Sequence, residues 1–477
     1  MVSADNLNLD VLELIFAYIS AHDLTSVSLV SRSFLAGAVP TLYRTIVYRL
    51  REAKAYDSIM SPFVVLLAHK GLTKHVRTID IQSVPRTNHL KIRPQPHPIF
   101  MRDCRKAIEL CSSLHTFRCT ESNVFPAFLM ALQQKPNLQS IRINGNLTTE
   151  QTKLLVNMTA LSEVMLEYSS WNLVDALPQW TESLRRTLNT LVLYVCAILS
   201  FALSGIAYSV LGIQKRTDHL SESTLESVLK ELPELSGLHV IQCPHVDHVV
   251  VLGLVSHTPE LESLSFTTLE KSRPLVTPLP DLPCLRHLAV DARYHMSPSP
   301  TPTILVTLLE HLKISAPGIS SFTMKLSERK ITIVPSFINR LIEVYGSYLK
   351  KVAFLDCSLE NESIKKLSQK CPHLERLDVS IPIREAYSFG DLLSPAKHLT
   401  TLVDVDTHTQ HGIRPSLSFD VVQTLMQKVP SLKTLVSDRR VWVAELDEDM
   451  ILTPKLDRRL PLRSRASWFL PSHISSS

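Results

Sequence analysis

Glycine is scarce in this chain, at 11 of 477 residues, which weighs against the glycine-rich turns that cradle phosphates and dinucleotides. Its eight cysteines include no C-x-x-C pair, so neither a zinc ribbon nor a thioredoxin-type site is written here. H-E-x-x-H, G-x-S-x-G and G-x-x-x-x-G-K are all missing, and acidic pairs such as Glu445 with Asp447 lie in polar sequence. No catalytic constellation is expected from these residues. His245, Asp247 and His248 in CPHVDH have ligating chemistry, but nothing nearby supplies a third and fourth metal ligand. Sequence alone therefore points to a protein that is not an enzyme and holds no metal or cofactor.

Charge is also sparse, with 20% charged residues against 45% hydrophobic ones, the balance of a folded protein and not of a disordered one. The net charge of +5 is concentrated in PKLDRRLPLRSR, where Lys455, Arg458, Arg459, Arg463 and Arg465 face the single acid Asp457. The rest of the chain is near neutral, which argues against a nucleic-acid-binding face. The cysteines stand at 104, 111, 119, 196, 243, 284, 357 and 371, and the chain runs from polar residues straight into an apolar pattern. A reducing cytoplasmic or nuclear setting with free thiols is expected.

What is present begins at the N-terminus. Val11, Leu12, Ile15, Phe16 and Ile19 fall on one face of a helix. Asn8 is placed to cap it, with Asp10 in the first turn. Leu24, Val27, Leu29, Val30 and Phe34 suggest a second helix bounded by Gly37 and Pro40. Helices this short must pack on one another, on the chain or on a partner. Leu7, Asp10, Ile15-Phe16, Tyr18-Ile19, Asp23-Leu24, Leu29-Val30-Ser31-Arg32 and Phe34 match the pattern of the F-box, which this segment resembles; Asn8 stands where that family has proline.

The remaining nine-tenths repeats. An apolar residue, another three later and a third two after that occur as Val76, Ile79, Ile81; Leu114, Phe117, Cys119; Leu138, Ile141, Ile143; Leu161, Val164, Leu166; and Leu188, Leu191, Leu193. The pattern resumes as Leu235, Leu238, Val240; Leu261, Leu264, Phe266; Leu285, Leu288, Val290; Ile319, Phe322, Met324; Leu349, Val352, Phe354; and Leu374, Leu377, Val379, with degraded copies at Leu399, Leu402 and Leu432, Leu435. Each copy reads as a short strand preceded by an amphipathic helix such as STLESVLKEL or NESIKKLSQK. This resembles the leucine-rich repeat, with Asn146, Cys243 and Cys357 at the place where that repeat bonds loop backbone between coils. The fold class expected is α/β: a small all-α N-terminal F-box, then an irregular leucine-rich-repeat solenoid with parallel strands inside and helices outside. HLKIRPQPHPIF and SPSPTPT read as looped-out insertions.

One interval breaks the array. Successive copies mostly start 23 to 34 residues apart, but 47 separate Leu188 from Leu235. Within that interval Leu191 to Ile213 runs without a charge, long enough for a membrane span. Three readings stay open for about 195–220: translated intron, since the codons of Val195-Cys196 admit a splice-donor sequence; a buried helix; or a membrane span, which the repeats on both sides disfavour. The expected domains are 1–50 F-box, 51–445 repeat solenoid with that insertion, and 446–477 a basic, disordered tail.

The resemblance implies a substrate-recognition subunit of an SCF-type ubiquitin ligase, in which the F-box binds a Skp-type adaptor, and through it a cullin, while the repeats hold a protein target. Carried over by motif position, the adaptor-binding residues are Leu7, Val11, Ile15, Phe16, Leu24, Leu29, Val30 and Phe34, with Ser31 and Arg32 organising the module. The alternative is a repeat scaffold with no ligase role. Trp171 and Trp180 flank a repeat connection, where either a binding surface or a core is consistent with tryptophan.

Overall fold

The amide of the first leucine in most motif copies closes a tight turn that aims the chain into a strand. Leu235, Leu261, Leu285, Leu374, Leu399 and Leu432 each donate to the carbonyl three residues earlier, at 2.9 to 3.3 Å. In the computed structural model, residues 7–19, 21–49, 61–87, 95–121, 123–194, 220–269, 275, 278–293, 303–326, 331–405, 417–446, 452–459 and 468–471 are described. They fall into two units, Met1–His219 and Leu220–Ser477.

The first unit opens with three helices, α1 (Leu9–Phe16), α2 (Ala21–Val27) and α3 (Arg32–Leu42). Strands β1 (Thr45–Tyr48), β2 (Thr78–Ile81), β3 (Thr116–Cys119), β4 (Ser140–Asn144), β5 (Glu163–Glu167) and β6 (Thr190–Tyr194) follow, each parallel to the next. Helices Pro62–Ala68, Pro98–Leu110, Leu129–Gln133, Thr149–Val156 and Trp171–Leu184 alternate with them, and successive helices touch. Two of these helices begin on a proline at the first turn, where the missing N–H costs nothing. The register puts Ile79, Phe117, Ile141, Val164 and Leu191 in one row, and all five are buried.

The second unit repeats this plan with β7 (Gly237–Ile241), β8 (Ser263–Leu269), β9 (His287–Arg293), β10 (Ser321–Leu326), β11 (Ile331–Ile333), β12 (Lys351–Leu355), β13 (Cys357–Leu359), β14 (Arg376–Val379), β15 (Thr401–Asp404) and β16 (Thr434–Ser437). Leu238, Leu264, Leu288, Phe322, Val352, Leu377, Leu402 and Leu435 share one buried row. β11 and β13 pair separately as a small parallel ribbon. Two antiparallel strands, β17 (Arg440–Leu446) and β18 (Leu452–Arg459), close the run after β16. The turn between β16 and β17 is Asp438-Arg439, both in the left-handed region (φ 47° and 62°), as a two-residue hairpin of this twist requires.

Every motif copy read from the sequence thus lies on or leads into a strand, and each of its apolar positions is buried. Four expectations need correction. Gly37 and Pro40 lie inside α3, not at its boundary; Pro40 removes one main-chain bond near the end of the helix, which nevertheless runs on to Leu42. Residues 45–48 are the first strand of the sheet and not the end of the helical module. At the inter-coil position Asn144, not the exposed Asn146, does the bonding: its amide donates to the Thr120 carbonyl at 3.4 Å and its oxygen accepts from the Asn146 N–H at 3.1 Å. Finally, the segment expected to be a disordered tail contains β18, which is held by antiparallel pairing along β17, and a buried Phe469-Leu470.

The helices expected from STLESVLKEL and NESIKKLSQK are Glu222–Lys230 and Asn361–Lys370. The three readings of the segment 195–220 fall on 195–219, outside the described residues. Among the described residues no helix is long and apolar enough to cross a membrane.

Candidate functional site

The N-terminal module is built around four buried residues, Leu12, Phe16, Leu24 and Ala38, with Ile19, Val27, Phe34 and Leu42 packed against them. The Phe16 and Phe34 rings meet at 5.4 Å between centroids. Ser31 caps α3 by accepting the Phe34 N–H at 3.2 Å, which sets the turn between α2 and α3 and fits the organising part expected of it. Asn8 occupies the cap position of α1, but its side chain makes no capping bond. Its carbonyl instead takes the Val11 and Leu12 amides at 3.0 and 3.1 Å.

This core is small because α1 is apolar nearly all round, six of its eight residues being Leu, Val, Ile or Phe. Only one stripe can face inward, and a helix apolar on every side is normally covered by something. Leu14 is 67% exposed, Tyr18 92%, Leu29 83% and Val30 68%, and Leu7, Leu9, Val11, Ile15 and Leu35 are exposed as well. Among the described residues, nine of the eighteen exposed large hydrophobic side chains therefore lie within residues 7–35, far denser than the scattered apolar residues of an ordinary surface.

The eight predicted contact residues separate into two groups. Leu7, Val11, Ile15, Leu29 and Val30 are exposed, whereas Phe16 (3% exposed) and Leu24 (2%) are inside and Phe34 is half-buried against them. For Phe16 and Leu24 the expected surface contact gives way to a core role, since a two-sided helix must spend part of its apolar stripe on its own module. Leu9, Leu14, Tyr18 and Leu35 escaped the motif-based selection. A signal for Leu14 and Tyr18 was present, because they sit four residues apart and off the Leu12–Phe16–Ile19 stripe.

The other candidates resolve into structural parts. Asp247 accepts the Val249 and Val250 amides at 3.0 Å and so caps helix His248–Leu254. His248 is buried beside the Phe266 ring, and burial holds its imidazole below the usual histidine range. Among the described residues no group of three or more His, Cys, Asp or Glu is disposed to hold a metal. Cys243 and Cys357 are buried, as the inter-coil reading expects. Burial pushes the thiols of Cys119, Cys357 and Cys371 up to about 12, far from the thiolate form that would make them reactive. Trp180 is core, its indole N–H donating to the Met158 carbonyl at 3.1 Å, while Trp171 is half exposed. Glu445 is paired with Lys455 at 3.0 Å.

The F-box domain model matches residues 5–36, the span that contains the exposed apolar surface. The chain therefore carries an F-box domain at its N-terminal end, followed among the described residues by strand–helix repeats and a closing antiparallel pair. No curated protein matches the sequence. Among solved structures, a chain of the Rad7 and Elc1 complex in yeast is similar at 13% identity and a TM-score of 0.43, over 78% of this chain and 88% of that one. A chain of the TLR13–ssRNA13 complex is similar at 14% identity and a TM-score of 0.34, over 76% of this chain. The match spans about half, 46%, of that second chain's length.

Proposed function

We propose that this protein is the substrate-recognition subunit of an SCF-type ubiquitin ligase. Its F-box binds a Skp-type adaptor and through it a cullin, and its repeats bind a protein target. The observation that carries the reading is the concentration of exposed large apolar side chains on the F-box module, with Leu14, Tyr18, Leu29 and Val30 more than half exposed. Burying such side chains is worth about 1.5–3 kcal/mol each, so a surface of this kind is matched to a stable protein partner. The chain itself contributes no chemistry. It raises the effective concentration of a target beside the ubiquitin-carrying enzyme. A cytoplasmic or nuclear setting is in keeping with the free cysteines of the described residues.

The test is co-purification with a Skp-type adaptor and a cullin. Wild-type chain is expected to capture both, and the double substitution Leu29→Asp/Val30→Asp is expected to abolish capture without unfolding the module. Undiminished capture by that variant would remove the proposal, and adaptor capture without any cullin would reduce it to a repeat scaffold.

A further inference from the structure

Strands β7 to β10 have two faces. Phe322 points toward helix Pro335–Tyr345, with its ring 6.2 Å from that of Phe337, and Phe266 points toward His248. Side chains one position away along each strand must point to the opposite face. The register there gives a row of Gly237, Ser263, His287 and Ser321, then a row of His239, Ser265, Ala289 and Thr323. These are short or polar residues, yet His239, Ser265, Ala289 and Thr323 are at most 1% exposed. Phe469, at 0% exposure, lies over this floor with its ring beside that of His239, and the adjoining Leu470 is 3% exposed.

The floor is organised around one main-chain carbonyl. Phe469 O lies 2.8 Å from His287 Nε2 and accepts the Ser265 hydroxyl at 3.1 Å. A carbonyl only accepts, so His287 Nε2 carries a proton, and in the neutral ring Nδ1 accepts from the Ser321 hydroxyl at 2.9 Å. Because the Ser265 hydrogen is committed to Phe469, its oxygen accepts from His239 Nδ1 at 2.7 Å, leaving Nε2 to accept the Ser263 hydroxyl at 3.4 Å. Two serine–histidine relays thus converge on a single peptide oxygen, each donor polarised by the one behind it. Around that oxygen the His239 ring meets the Phe469 ring at 5.8 Å, and the Lys325 ammonium sits 5.4 Å from the Trp468 ring centroid.

The fit is incomplete. Thr323 Oγ1, on the floor, and the indole N–H of Trp468 are both buried and have no hydrogen-bond partner among the described residues. Native sites normally satisfy such groups, so a different peptide could use the floor more fully than this one does.

We infer that this face of β7–β10 is a peptide-binding site, and that Trp468-Phe469-Leu470-Pro471 occupies it as an internal stand-in for an aromatic–aliphatic segment of a partner protein. The donors recognise a main-chain carbonyl, which any extended peptide offers. The ring contacts and Lys325 select an aromatic pair. As the description of a degradation target, the site rests on the proposed ligase function; as a peptide site it stands alone.

The experiment uses the full chain and a fluorescent peptide spanning residues 466–472, ASWFLPS. Trp468→Ala/Phe469→Ala empties the site, and the peptide is expected to bind this variant at least about tenfold more tightly than wild type, because the internal competitor is gone. Adding His287→Ala is expected to remove that binding. Equal affinity for wild type and the emptied variant, or no binding to an emptied variant that retains its circular dichroism, would overturn the inference. Should the emptied variant not fold, the peptide carrying a photoreactive phenylalanine at position 469 is cross-linked to wild type. Adducts on β7–β10 support the site, and adducts elsewhere or none reject it. Adaptor capture is read on the same preparations, so failure of the peptide site and failure of the ligase reading are seen separately.

Discussion

Gly37 on α3 lies so close to Leu12 on α1 that a Cβ at position 37 would stand 2.8 Å from the Leu12 Cβ and 3.1 Å from the Phe16 ring. The two helices therefore meet nearly backbone to backbone. Gly37→Ala must push them apart, and overpacking of this kind costs about 1–3 kcal/mol. Amide hydrogen exchange over residues 9–42 is expected to accelerate while that of β2 to β6 is unchanged. Unaltered protection of α1 and α3 would refute the close contact.

Burial separates two kinds of F-box residue that the motif treats alike. Phe16→Ala opens the module's core and is expected to cost about 3–5 kcal/mol, losing adaptor capture through unfolding. Val30→Ala, at an exposed position, is expected to leave stability within about 0.5 kcal/mol while weakening capture. Denaturant melts run beside pull-downs distinguish them; a large loss of stability in the Val30 variant would refute the assignment.

His248 gives the second unit a pH dependence. Burial lowers its folded-state pKa below that of an ordinary histidine, so the unfolded chain binds a proton first as pH falls. Stability linked to this residue is complete above the unfolded pKa, declines as pH drops through it, and levels off below the folded pKa. Urea unfolding from pH 7.5 downward is expected to show that decline, and His248→Leu is expected to flatten it. The same slope in both proteins would trace the effect to other groups.

The hairpin turn Asp438-Arg439 holds two non-glycine residues at positive φ. Arg439 is exposed, so Arg439→Gly removes backbone strain without disturbing packing. A gain of about 0.5–1 kcal/mol is expected, measured as a higher denaturation midpoint. A loss would indicate that Arg439 makes a contact worth more than the strain.

The repeat array was legible in the sequence because its signal is written many times. Leu238, Leu264 and Leu288 each report the same inward position, and the spacing between copies already sets the register. The F-box was legible as a motif but not as a surface. Phe16 and Val30 are equally apolar letters, and only the packing of α1 on α3 decides which one faces out. The docked segment at 468–471 was hidden altogether. Its contacts with Ser265 and His287 span roughly two hundred residues, a separation at which local pattern carries no information, and the basic residues just before it invited the opposite reading.

The antiparallel pair β17 and β18 has a consequence for assembly. A run of parallel strands ends in a row of open main-chain donors and acceptors, a template on which a second chain can grow. Here the last strand carries Pro454, which offers no N–H, and exposed Lys455, Asp457, Arg458 and Arg459. A strand arriving from another molecule would meet a missing donor and a fringe of hydrated charge. The terminal hairpin therefore acts as a stopper: it lets a long stack of edges exist in one polypeptide without seeding fibres between polypeptides.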